Sequence, residues 1–473
     1  MRLGTLRRVG IWLAMLFATG CGSAQYGSNI ELPVAPPDGF SAAGQSRATA
    51  EPLRWWMEFG SAELNATVEE AFDGNFDLLV TRKRLEQLEA VQRMQSSAAW
   101  PNVEAQASVG RSKTPGPRGA LESDSFVLGV AAAYEIDVWG KTRAAVDAAE
   151  LDILSTRENL DAAAALLVAQ IVEQWASIVH QRAKRKLLEA QLKTSGTFLE
   201  LALLRLSMGQ NTALDVLQQR QLLEALQSQL VFVETAETLA QHKLAVLIGR
   251  TPGVVIESDE TLPEIPEAFE AGIPDDLLQQ RPDVRSARLS AQAADARIVV
   301  AMADRLPSVR LSASLSLMAQ DPVDLLDDFF WNLAVSLAAP LFDGGRRSAE
   351  VDRVRAVLDE KVLLYGKALL LAIEEVESAL LQERQQRKVI ADLELQLATA
   401  SAILGTAQAQ YLRGVSTYYQ VLIALRTTQQ MELGLLDAQR QLVSARIQLY
   451  RAVGGTWTPF SASIDEERKD DEP

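Results

Sequence analysis

The chain has 473 residues, a formal net charge of −16 and only 6% aromatic residues. That length can bury a sizeable core, and so acidic a balance argues against a nucleic-acid-binding surface, which should be basic. One cysteine excludes an intrachain disulfide. The two histidines, His180 and His242, sit in helical stretches without a partner His or Cys, so no metal site is assigned.

Residues 1–20 carry Arg2, Arg7 and Arg8, then the apolar run Val9 to Phe17, then Ala18-Thr19-Gly20 before Cys21. This is the layout of a secretory signal peptide with small residues at the cut. It resembles a bacterial lipobox, which would leave Cys21 as a lipidated, palmitate-bearing N-terminus. Ala18 stands where such motifs favour Leu, and ordinary cleavage nearby is the other reading. Residues 21–60 form an N-terminal arm rich in Pro and Gly. No later stretch has ~20 uninterrupted apolar residues, so a membrane-spanning helix is not expected. Any spanning must be done by strands.

Ser61 is a plausible cap for a helix over about Ala62 to Ala99, with a possible break at Asp73-Gly74, stopped by Trp100-Pro101. Alternation then predicts a strand over 102–112 and another over 125–139, the second with Phe126, Leu128, Val130, Ala132, Tyr134 and Ile136 on one face. A long helix opens after Trp139-Gly140, with a seam at Leu160, Ala164, Leu167, Ile171, Trp175 and Ile178. Gly209 breaks it, and another helix runs to about Ile248.

Residues 251–273 read as a Pro- and Glu-rich linker, after which the plan recurs. A helix from Pro274 to Arg305 precedes strands over 308–319 and 329–340. In the last strand Phe329, Trp331, Leu333, Val335 and Leu337 alternate with small or polar residues. From Arg346 a heptad seam at Leu358, Val362, Tyr365, Leu369, Ala372, Val376 and Ala379 predicts a coiled-coil helix to Arg413. At 1.5 Å per residue this helix is roughly 100 Å long. Gly414 breaks it, a last helix reaches Val453, and 455–473 is a charged tail.

Pro101 and Pro307 are 206 apart, and Gly140 and Gly345, Gly209 and Gly414, and Thr212 and Thr417 are each 205 apart. A helix–strand–strand–helix unit has been copied once, giving repeats over 61–250 and 274–454. Four amphipathic strands cannot close a membrane barrel, whose smallest known form has eight, so several chains must contribute. Three copies of four strands make twelve. The polar faces would line a water-filled bore, and Phe126, Tyr134, Phe329 and Trp331 are candidates for the aromatic girdle at the lipid interface. No nucleophile elbow, P-loop or dinucleotide fingerprint is present, so the chain is not assigned as an enzyme.

Several longer motifs carry a family likeness. They are Trp55-Trp56, Arg84-Leu-Glu-Gln87, Tyr134-Glu-Ile-Asp-Val-Trp-Gly140, Leu247-Ile-Gly-Arg250, Leu277-Leu-Gln-Gln-Arg-Pro-Asp-Val-Arg285, Pro340-Leu-Phe-Asp-Gly-Gly345 and Leu449-Tyr-Arg-Ala-Val-Gly-Gly455. Together they make the chain resemble the outer-membrane efflux tunnels similar to TolC and OprM, within the NodT-like lipoprotein branch. The resemblance implies a membrane β-barrel of twelve strands in a homotrimer, continued by an α-helical coiled-coil barrel in the periplasm. It implies no cofactor beyond a covalent lipid on Cys21. The implied partners are outer-membrane lipid, a periplasmic adaptor and an inner-membrane pump, often of the resistance–nodulation–division type. Drugs or metals would pass passively. Within this class the alternative is the exit duct of a type I protein secretion system. From another class, the alternative is a soluble periplasmic coiled-coil scaffold.

The segments Met208 to Leu217 and Arg413 to Leu422 match the family's periplasmic-end motif. The resemblance makes Gly209, Thr212, Gly414 and Thr417 adaptor-docking residues, and glycine permits the reversal in any case. Relatives close this end with acidic rings, and Asp215 matches one such position. In the second hairpin the acidic positions are Gln420 and Ile423, a departure from the pattern. The expected closure is therefore formed more by Tyr419 and Ile423 than by carboxylates.

Overall fold

The computed structural model describes residues 54–117, 119–253, 261–265 and 280–454. Cys21, the signal sequence, most of the arm and linker, and the tail lie outside the described residues. Helices α1 (Ala62–Gly74) and α2 (Phe76–Ser97) lead to strands β1 (Asn102–Thr114) and β2 (Leu121–Ile136), then helices α3 (Lys141–Ser207) and α4 (Ala213–Leu247). Helix α5 (Pro282–Ala303) is followed by strands β3 (Ser308–Ala319) and β4 (Phe329–Ala338), and by helices α6 (Arg346–Leu412) and α7 (Tyr418–Ala452). The two copies match in length: α2 and α5 have 22 residues, α3 and α6 have 67, and α4 and α7 have 35.

The chain divides into two compact units. One comprises Lys83–Arg157 and Ser286–Lys367 and holds the strands, which form one antiparallel sheet in the order β1-β2-β3-β4. β1 and β2 reach further toward their hairpin than alternation predicted, because Lys113 and Thr114 pair with Glu122 and Leu121. β2 stops at Ile136, three residues short of expectation. Asp137 instead accepts a hydrogen bond from the Arg143 amide at 3.0 Å, capping the start of α3. Asp343 does the same for α6, accepting from the Gly345 and Arg347 amides at 3.0 and 3.2 Å. β4 ends at Ala338, short of 340, where Pro340 has no amide to give. Trp139 donates its indole N–H to the Pro307 carbonyl at 2.7 Å, tying the end of one strand pair to the start of the other.

The second unit comprises the described parts of Val34–Arg82, Glu158–Arg285 and Ala368–Pro473 and is helical. The α3 seam Leu160, Ala164, Leu167, Ile171, Trp175 and Ile178 is buried throughout. By length and composition alone α3 could cross a membrane, contrary to the sequence expectation. More than half of its apolar window is buried against protein, so helix packing accounts for the apolar residues. The helix expected over 62–99 is broken at Asn75, whose backbone is extended and whose side chain caps Leu78 and donates to the Leu247 carbonyl at 2.8 Å. A Cβ on Gly74 would lie 2.3 Å from the Ile248 carbonyl oxygen, so only glycine allows this approach. His180 is buried and its Nε2 lies 3.0 Å from Asp437, which also pairs with Lys184 at 2.9 Å.

Candidate functional site

Two surfaces carry the functional features, one in each unit. The first is the sheet. Directly paired residues of an antiparallel ladder share a face, so the register sorts the side chains into rows. One face carries Asn102, Glu104, Gln106, Ser108, Ser312, Ser314, Ser316, Asn332 and Ser336, with Ala and Gly of β2 between them; toward the hairpins it also carries Val127, Met318 and Phe330. Its charges are Glu104 and a loose pair, Glu135 and Arg310, at 4.0 Å.

The other face is apolar. Its rows run from Ile136–Val309–Leu337 and Tyr134–Leu311–Val335, through Val103–Ala132–Ala313–Leu333 and Ala105–Val130–Leu315–Trp331, to Ala107–Leu128–Leu317–Phe329 and Val109–Phe126–Ala319. From Val309 to Ala319 is ten steps along the strand, about 34 Å at ~3.4 Å per residue. Tilted by about 35–45°, as barrel strands are, that is roughly 24–28 Å, the height of an outer-membrane apolar band. The chain leaves this face largely bare: Phe329 and Trp331 are 66% and 72% exposed, and Leu333, Val335 and Leu337 are similarly open. Phe126 and Tyr134 are half-buried. Among the described residues the sheet has two unpaired edges, β1 and β4.

The second surface is the pair of helix reversals, α3 to α4 and α6 to α7. Gly209 and Gly414 adopt φ of 70° and 75°, the left-handed conformation that closes a helix. The amides of Gln210 and Gly209 reach back to Arg205 and Leu206 at 2.8 and 3.0 Å. Those of Val415 and Gly414 reach Gln410 and Tyr411 at 2.9 and 3.0 Å. Each reversal thus uses the same Schellman pattern, and the glycines are required by backbone geometry.

Thr212 caps α4. Its hydroxyl accepts from the Asp215 amide at 3.3 Å, while Asp215 accepts from the Thr212 amide at 2.9 Å. Asp215 is therefore partly occupied by its own helix. Thr417 has the equivalent position on α7 but makes no side-chain cap bond. Tyr419 and Ile423 are 53% and 47% exposed, and Gln420 is exposed beside them.

Sequence reading missed the residues that bind the two reversals together. The buried Tyr418 hydroxyl donates to Gln219 Oε1 at 2.8 Å, and Gln219 in turn donates to the Ser195 carbonyl at 2.7 Å. The Tyr411 hydroxyl donates to Asn211 at 2.8 Å, and the Arg205 guanidinium lies 4.3 Å from the Tyr411 ring centre. Burial pushes the Tyr418 phenol well above the ordinary range, so it stays a donor. A signal was available: Gln219 interrupts the apolar series Val216, Leu222, Leu226 of α4, and a polar residue in a seam needs a partner.

The model of the family described as "Outer membrane efflux protein" matches residues 67–250 and again 273–455. The chain belongs to the outer membrane efflux protein family. It is 28% identical to the pyoverdine export outer membrane protein OpmQ of Pseudomonas aeruginosa, over 96% of this chain and 98% of that one. It is 26% identical to the cation efflux system protein CusC of Escherichia coli, over 93% and 97%. Among solved structures, the outer-membrane channel OprN superposes with a TM-score of 0.85 at 26% identity, covering 91% of this chain and 98% of that one. The chain is thus an outer-membrane efflux protein with the fold of a channel. The helical unit and four-stranded sheet are features of that fold.

Proposed function

We propose that three copies of this chain form the passive outer-membrane exit channel of a tripartite efflux system. A periplasmic adaptor would deliver small molecules to it from an inner-membrane pump. The observation that carries this reading is the sheet. Among the described residues it has two open edges, one bare apolar face of membrane height and one face dominated by Ser, Asn and Gln, with Val127, Met318 and Phe330 near the hairpin end. Closing the sheet with further copies satisfies the edges, sends the apolar face to lipid and leaves a polar bore. The family membership supplies the efflux role, and two relatives are named for pyoverdine export and cation efflux, which supports small molecules as cargo.

In this reading Gly209, Thr212, Gly414 and Thr417 present the helix reversals to the adaptor. Tyr419, Gln420 and Ile423, with Asp215, line the closed end, and Cys21 bears the lipid anchor. The repeats at 61–250 and 274–454 each give a third of that trimer half its strands. Energy comes from the pump, so transport asks only for a bore and a closure. A wide bore lined by hydroxyls and amides selects little, which fits small molecules of varied chemistry.

The test is native mass spectrometry of the detergent-solubilised protein together with conductance in planar bilayers. Three copies and discrete channels are expected. A water-soluble monomer that never conducts overturns the reading.

A further inference from the structure

Beyond the apolar band, the same face of the sheet changes character abruptly. The row after Val109–Phe126 is Arg111–Asp124, and the next is Lys113–Glu122. Four charged residues thus continue the outward face past the band, at the end of β1 remote from the helices. The opposite face at this level stays uncharged, with Gly110, Ser112, Ser123 and Ser125. A hairpin end that was merely solvated would have no reason to sort its charges to one side.

We propose that Arg111, Lys113, Glu122 and Asp124 form a binding patch for the phosphorylated headgroup of the glycolipid in the membrane's outer leaflet. This rests on the channel reading, which sets the apolar rows in lipid and puts this end of the strands outward. At that level the lipid surface is a lattice of phosphates bridged by divalent cations. Arg111 and Lys113 match the phosphates, Arg111 as a two-pronged donor. Glu122 and Asp124 match the bridging cations, which are hard and take oxygen ligands. An all-basic patch would suit phosphate alone; a mixed one suits phosphate with its cations.

The existing internal pairs do not compete strongly. Arg111 lies 3.3 Å from Glu122 and 3.5 Å from Asp124, and Lys113 lies 2.7 Å from Glu122, with the basic side chains 72% and 66% exposed. Exposed pairs of this kind contribute little. They hold the four groups in position and open readily to a multiply charged ligand.

The probe is purified lipid A, added to the delipidated, solubilised protein with and without Mg²⁺ and read by native mass spectrometry. Phosphatidylglycerol serves as the comparison lipid. R111Q/K113Q is expected to weaken lipid A binding about thirtyfold, at the usual worth of two basic residues on a lipid surface. R111K/K113R should retain most of it. E122Q/D124N should lose the Mg²⁺-dependent gain while binding lipid A normally in its absence. Unchanged lipid A binding in R111Q/K113Q overturns the proposal, as does an equal loss of phosphatidylglycerol, which would mark a generic anion effect. The oligomer count in the same spectra separates this from failure of the channel reading: intact trimers without lipid A preference refute only the patch.

Discussion

Arg446 is almost fully buried and grips Glu383 twice, Nε to Oε2 at 2.9 Å and Nη2 to Oε1 at 2.5 Å, joining α7 to α6. Arg387 adds a third bond to Glu383 Oε1 at 2.9 Å. Burial works against the Arg446 charge, but the Glu383 carboxylate more than offsets this and holds the guanidinium ionised. Glu383→Ala would leave a buried cation uncompensated and should cost about 3–5 kcal/mol of stability. The double replacement E383M/R446L, of similar volume, should recover most of that. Urea unfolding in detergent, followed by circular dichroism, reads both; a double variant as weak as the single one would show that packing, not charge, is the reason for the pair.

Strong alkali should loosen the helical unit through its buried phenols. Burial, reinforced by the hydrogen bond to Glu58, raises Tyr450 to about 12 from 10.0. Between those values the native phenol keeps its proton while the unfolded one has lost it. The native state binds more protons there, so stability is full below pH ~10 and falls as pH rises, by about 1.4 kcal/mol per unit for one such group. Tyr418 is shifted the same way by burial. Thermal melting of wild type from pH 9.5 to 11.5 should therefore fall more steeply than that of Y418F/Y450F, and parallel slopes would refute the assignment.

How far the sequence speaks depends on the period of the interaction. Strand alternation and the α3 seam are local repeats, so Phe329 to Leu337 and Leu160 to Ile178 could be placed without coordinates. The duplicated spacing located both reversals through Gly209 and Gly414. Strand ends were harder, because Asp137 reads as a continuation of β2 until it is seen capping α3. The partners in long-range polar contacts were not legible, even where a seam polar residue such as Gln219 signals that one exists. Nothing local says that Tyr418 meets Gln219 across 199 residues, or that Tyr450 reaches Glu58 across 392.

At the helix reversals the exposed and buried residues should behave differently. Tyr419 and Ile423 are open to solvent and bear no side-chain hydrogen bond among the described residues, so Y419A/I423A should raise leak conductance in planar bilayers with little loss of stability. Tyr418→Phe removes the donor to Gln219 Oε1, leaving an acceptor on a fully buried side chain, at a cost of about 1–3 kcal/mol. It should raise both leak and unfolding. If Y419A/I423A conducts like wild type, closure lies elsewhere.

Asp215 invites a prediction against its motif. Its Oδ2 accepts from both the amide and the hydroxyl of Thr212, at 2.9 and 2.8 Å. Asp215→Asn should therefore act mainly on the N-terminus of α4, at about 1 kcal/mol, and change cation conductance little. A large fall in cation conductance at unchanged stability would restore it as a gate carboxylate.

Glu104 is the stronger determinant of ion preference. On the polar face of the sheet, Glu135 has Arg310 at 4.0 Å as a partial counter-charge, whereas Glu104 bonds, among the described residues, only the Asn102 side-chain amide, at 2.9 Å. Its neighbours along the row are Ala131, Ser314 and Asn332, none of them charged. Three copies of this chain would place three such carboxylates at one level of the bore, where a low-dielectric wall strengthens their field. Glu104→Gln should thus move the reversal potential under a salt gradient toward zero. Glu135→Gln, which removes a carboxylate already partly counter-charged by Arg310, should move it less. The order of these two shifts matters more than their size: a Glu104→Gln channel with wild-type selectivity would mean that the helical unit, not the sheet, sets the charge preference.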